Sequence, residues 1–128
     1  MKFLLDTHVM LWSAENSKRL SAKTMKLLQN DENELFFSVV SFWEISIKRA
    51  LGRKDFYAEP RQLRHGLLGN DYHELQVTSE HAFTVETLPL VHRDPFDRML
   101  IAQAMVEGAV LLTVDSIVLR YPGPIQRA

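Results

Sequence analysis

Two short apolar runs end directly in an acid, and they constrain this chain more than any other feature. Lys2-Phe3-Leu4-Leu5 runs into Asp6, and Ala109 to Val114 runs into Asp115. A short, near-continuous apolar run bounded by polar residues suits a strand buried on both faces. Strands of that kind belong to parallel sheets, whose neighbours need crossover connections of about helical length. Between the two runs the pattern alternates accordingly. Val9 to Trp12 begins a helix-like stretch, and Ser21 suits the cap of another containing Met25, Leu27 and Leu28. Leu35 to Val40 reads as a second strand. Ser41-Phe42-Trp43-Glu44 matches a capping box for a helix reaching about Leu51. Pro60 opens a further helix, Tyr72 to Val77 reads as a strand, and Ser79 suits the cap of a helix reaching about Leu88. Asp94-Pro95-Phe96-Asp97 starts the best-signalled helix, which Gly108 ends. The expectation is a three-layer α/β/α fold with a mostly parallel central sheet, forming a single domain over residues 1–128. The Pro122-Gly123-Pro124 tail is expected to lie on the surface.

Composition narrows the setting. The 128 residues contain no cysteine, which removes disulfide scaffolds, thiolate zinc sites and cysteine nucleophiles. Asp6 interrupts the first apolar run after three residues, and no run approaches the roughly 18 apolar residues of a membrane span. A cytoplasmic protein without membrane insertion is expected. Net charge is −1, yet from Lys48 to Arg64 six basic residues face only Asp55 and Glu59. Lys48, Arg49, Arg53 and Lys54 are therefore candidates for contacting RNA phosphates, the alternative being a solvated face.

The acids carry the functional signal. In open α/β sheets the ligand crevice lies outside the carboxyl ends of the strands, where Asp6 and Asp115 would both sit. Glu44, early in the helix after the second strand, reaches the same rim if that strand is parallel to the first. Asp94 and Asp97 share the first turn of their helix. Each acid also has a purely local role open to it. Asp6, Asp94 and Asp115 suit caps, Glu44 suits the reciprocal partner of Ser41, and Asp97 complements the helix dipole. Together, four or five carboxylates on one rim call for a hard divalent cation, because like charges at close range cannot all stay ionised alone. Mg²⁺ or Mn²⁺ in such a site suits phosphodiester hydrolysis. Thr7 and Thr113, beside proposed ligands, are auxiliary candidates. The five histidines show no metal-ligand spacing and read as surface or packing residues.

Several segments together resemble the PIN-domain family, specifically the VapC-type toxins of toxin–antitoxin pairs. They are Leu4-Leu5-Asp6-Thr7-His8, Ser41-Phe42-Trp43-Glu44-Ile45, His92 to Arg98, Leu100 to Ala104, and Leu111 to Asp115. The resemblance implies a metal-dependent endoribonuclease in which Asp6, Glu44 and Asp97 form the core acidic triad and Asp115 the fourth acid, with Asp94 auxiliary. It also implies a cognate antitoxin and a homodimer. The apolar content of Val9 to Trp12 and Leu35 to Trp43 points to burial against a partner as well. Val114 departs from the family, many members of which carry a basic residue there. A receiver-like signalling domain would need an adjacent acidic pair after the first strand and a lysine after the last. An Asp-x-Asp phosphatase would need an acid where His8 stands. A catalytically silent PIN-like RNA-binding module is the remaining alternative.

Overall fold

A computed structural model describes residues 1–128. Five strands, β1 (Lys2–Leu5), β2 (Glu34–Ser38), β3 (His73–Leu75), β4 (Val110–Thr113) and β5 (Ile125–Arg127), form one sheet in the order β3-β2-β1-β4-β5. Every pairing is parallel. The helices are α1 (Thr7–Glu15), α2 (Ala22–Gln29), α3 (Val39–Ala50), α4 (Pro60–Gly69), α5 (Ser79–Thr87) and α6 (Pro95–Glu107), followed by a 3₁₀ turn, Val118–Arg120.

The period-two alternation of strand side chains sorts the core into two layers. Phe3, Leu5, Leu35, Phe37 and Leu112 pack on one face with Val9, Met10, Ile45 and Leu63. Leu4 and Leu111 pack on the other with Leu100, Ile101, Ala104 and Tyr121. The expected α/β/α layering is therefore observed, with a sheet that is wholly parallel.

Two local readings are corrected. Helix α3 starts at Val39, two residues before Ser41, because the Ser38 hydroxyl accepts the Val40 N–H and caps it. Ser41 thus lies inside the helix and the Ser41–Glu44 capping box does not form. Thr78 rather than Ser79 caps α5. Its hydroxyl accepts the His81 N–H, and His81 Nδ1 accepts the Thr78 N–H in return. Pro122 and Gly123 are exposed as expected, and the unassigned residues after Pro124 form edge strand β5, with Leu111↔Ile125 in register. The apolar excess assigned to a partner is also largely absorbed within the chain. Val9, Met10, Leu11, Leu35, Phe37 and Val40 are all buried, leaving Trp43 exposed at 61%. No helix is long and apolar enough to cross a membrane.

The cap assignment has a direct test. Thr78→Ala should lower unfolding free energy by about 1 kcal/mol in urea titrations, whereas Ser79→Ala should leave it nearly unchanged. Equal losses would contradict the observed cap.

Candidate active site

Parallel pairing of β1 with β4 sets Leu5 opposite Leu112, and the Asp6 N–H continues the ladder to the Leu112 carbonyl at 3.0 Å. Asp6 and Thr113 therefore leave the sheet side by side at its carboxyl edge. The Thr113 hydroxyl donates to Asp6 Oδ2 at 2.5 Å and accepts the Asp115 N–H at 3.0 Å. Asp6 Oδ1 accepts the Val9 N–H at 2.8 Å, capping α1. Burial pushes the Asp6 carboxyl above its usual range, although the Thr113 and Val9 bonds oppose the shift.

On the other side of β1, β2 runs parallel and delivers α3 to the same rim. Glu44 lies in the second turn of α3 and is buried. Its Oε1 accepts the Thr7 hydroxyl at 2.6 Å, and its Oε2 pairs with Lys48 Nζ at 2.5 Å. Thr7 also lies 2.9 Å from the Ser41 hydroxyl, so the residue expected to cap α3 serves the site instead. Both auxiliary threonines hold a carboxylate, one for each of the two most buried acids.

Asp94 caps α6, its Oδ1 accepting the Phe96 N–H at 2.8 Å and the Asp97 N–H at 3.3 Å. Asp115 Oδ1 accepts the Ile117 and Val118 N–H groups where the chain enters the 3₁₀ turn. Asp97, in the first turn of α6, is pushed up to about 8. Burial is the largest cause, followed by the charges of Asp94, Glu44, Asp6 and Asp115. The other four acids singled out from the sequence thus all act electrostatically on Asp97.

The sequence reading missed His92. Its Nε2 lies 3.0 Å from Asp97 Oδ2 and 3.7 Å from Asp115 Oδ2. Ligand atoms of His92, Asp94 and Asp97 all lie within 4.8 Å of one another. Spacing gave no warning, since His92 reaches the acids from the connector before α6. Its place two residues before Asp94 was the one available signal. Among the basic candidates, Lys48 is held by Glu44 and Arg53 pairs with Asp55 at 3.0 Å, while Arg49 and Lys54 are exposed without an ion-pair partner.

Asp6, Glu44, Asp94, Asp97 and Asp115 offer hard oxygen donors at this rim, with Lys48 against Glu44 and His92 against Asp97 and Asp115. Such a set fits a hard divalent cation, which takes carboxylate oxygens and retains several waters. The elevated Asp97 carboxyl expresses the same fact: without a cation, this charge is unfavourable here.

Comparison with known proteins bears on the family and the fold. The model for the PIN domain matches residues 3–124. A search of curated proteins finds no match. Among solved structures, the chain is similar to VapBC2 from Rickettsia felis bound to a DNA fragment from its promoter, at 15% identity and a TM-score of 0.71, covering 100% of this chain and 99% of that one. It is similar to DNA-bound VapBC from Salmonella typhimurium at 16% identity and a TM-score of 0.68, covering 99% and 98%. A toxin–antitoxin complex from Klebsiella pneumoniae matches at 15% identity and a TM-score of 0.63, covering 96% and 94%.

The crowding of Asp97 predicts a pH dependence. Its carboxyl rises from 3.8 to about 8 on folding, so between those values the folded state binds more protons than the unfolded one. Stability of the metal-free protein should fall as pH rises through that window. Asp97→Asn should flatten the fall and melt higher than wild type at pH 8 by scanning calorimetry without metal. Identical pH profiles would refute the crowding.

Proposed function

The chain belongs to the PIN-domain family, and from that premise we propose that it is a metal-dependent endoribonuclease, the toxin of a toxin–antitoxin pair. The observation that carries this reading is the gathering of Asp6, Glu44, Asp94 and Asp115 about Asp97 at the carboxyl edge of the sheet. Asp6, Glu44, Asp97 and Asp115 would hold Mg²⁺ or Mn²⁺. When bound, such an ion polarises a phosphodiester and makes water nucleophilic near neutral pH. The protein's own part is to present carboxylates already ordered. Thr113 and the Val9 amide fix both oxygens of Asp6. Thr7 and Lys48 fix both oxygens of Glu44. Lys48 also keeps positive charge at the rim where an RNA phosphate would approach.

An antitoxin partner is supported by likeness to a toxin–antitoxin complex. An open groove of about 780 Å³ between α1, α2 and α4, lined in part by Met25, Leu28, Leu63 and Leu67, offers apolar contact for such a chain. A homodimer belongs to the same reading, with exposed Trp43 and Val77 on one apolar face for a second copy. Light scattering should then give twice 14.8 kDa.

The decisive experiment incubates purified protein with RNA and Mn²⁺. Cleavage should appear, stop in chelator, and drop by at least about a hundredfold in Asp6→Asn and Asp97→Asn while circular dichroism stays unchanged. Glu44→Gln should lose cleavage with little loss of stability, since no capping role remains for it. Full activity in these variants would overturn the metal-site reading.

Substrate contact has its own signature. Neutralising Arg49 and Lys54 should lower the salt dependence of RNA binding by roughly 0.7 per residue in the log–log slope, if each meets a phosphate. An unchanged slope would return both to solvent.

A further inference from the structure

The connector between α5 and α6, residues 88–94, has no regular secondary structure, yet it carries His92 to the acids. What fixes it is a chain of hydrogen bonds that begins well outside the site. Arg98 sends Nη2 to the Val85 and Leu88 carbonyls at 3.1 and 3.5 Å, and Nη1 to the Pro89 carbonyl at 2.9 Å. The same Nη1 reaches the hydroxyl of Tyr121 at 3.0 Å. That hydroxyl, on a buried side chain, accepts the His92 N–H at 2.8 Å and donates to the His92 carbonyl at 3.4 Å. Both backbone polar groups of His92 are thereby held by one side chain from beyond β4.

The ring is fixed as well. His92 Nδ1 accepts the Asp94 N–H at 3.3 Å, which places the neutral ring's proton on Nε2. Nε2 is sealed from solvent and makes no in-line hydrogen bond, although it stands 3.0 Å from Asp97 Oδ2 and 3.7 Å from Asp115 Oδ2. A buried N–H without an in-line partner is costly. Two carboxylates stand beside it and reach this point from separate elements, one from α6 and one from beyond the end of β4.

We propose that His92 is a positioning residue of the acidic site, whose Nε2–H gathers Asp97 and Asp115 from their separate elements, and that Tyr121 and Arg98 hold it in place. The proposal rests on the metal-site reading above and adds to it a second layer of residues. Groups that orient ligating carboxylates in this way typically change metal affinity by ten- to a hundredfold when removed. Arg98 is thus given a reason to follow Asp97 directly. One end of α6 carries an acid into the site, and the next residue anchors the loop that orients it.

The test uses the whole chain and two readouts besides cleavage. Long-range ¹H–¹⁵N spectra of the histidine rings should show His92 as the Nε2–H tautomer without metal, and still so with saturating Mg²⁺. An Nδ1–H tautomer in either state, or ring nitrogen shifts indicating direct ligation of Mg²⁺, would overturn the proposal. Calorimetric titration with Mn²⁺ should show His92→Ala binding about tenfold or more weakly than wild type, with His92→Gln, which keeps a donor at similar reach, restoring most of the loss. Tyr121→Phe should weaken Mn²⁺ binding in the same direction. Should that variant fold poorly, the His92 pair still decides. Equal affinity in wild type and His92→Ala, or failure of Gln to restore it, would refute positioning while leaving the metal site standing. A wild-type protein that binds no Mn²⁺, with Asp97→Asn indistinguishable from it, would instead remove the metal site and the proposal with it.

Discussion

Repulsion among carboxylates at the carboxyl edge of the sheet is the constraint that the rest of this structure serves. Two unit charges about 4 Å apart repel by roughly 4 kcal/mol at an effective dielectric near 20, so carboxylates gathered at one rim need compensation or protonation. The compensation here comes in small pieces. Hydroxyls of Thr7 and Thr113 donate to the two most buried acids, Lys48 pairs with Glu44, and His92 stands between Asp97 and Asp115. Asp97 retains the residual strain and is pushed up to about 8.

Capping and site chemistry are not alternatives in this molecule. Asp6, Asp94 and Asp115 each use Oδ1 to accept backbone N–H groups at the start of a helix or 3₁₀ turn. The helix start favours negative charge, so the cap both places and stabilises the acid. For Asp6 and Asp115 the other oxygen is directed inward, to Thr113 and toward His92. Glu44 is different, since no cap binds it. Its two oxygens are taken by side chains from the same rim, and its placement comes entirely from tertiary contacts.

Topology makes this arrangement possible. With β1 central and β2 and β4 parallel to it on either side, the chain leaves all three strands at one edge. Three separate stretches of sequence then deliver acids to that edge, and α6 brings the remaining two. Anchoring by Arg98 and Tyr121 extends the same logic to an irregular connector that could not otherwise hold a side chain in a fixed place.

The sequence by itself determined the layers and the acids. Apolar runs ending in Asp6 and Asp115 specify buried parallel strands and the edge at which those acids leave the sheet, because the period of side chains along a strand and the need for crossovers are local matters. Asp94-Pro95 likewise specifies where α6 starts. Tertiary structure decided what lies beyond local reach. The four residues Ser41 to Glu44 satisfy the capping-box pattern, yet Ser38 takes the cap, and Thr7, 37 positions away, claims Glu44. Thr113 meets Asp6 across 107 positions, and Tyr121 holds His92 across 29. Strand β5 exists only because β4 offers it an open edge. Local patterns record the propensity of a segment and the face it buries. Which donor meets which carboxylate depends on strand order, and only the folded sheet supplies it.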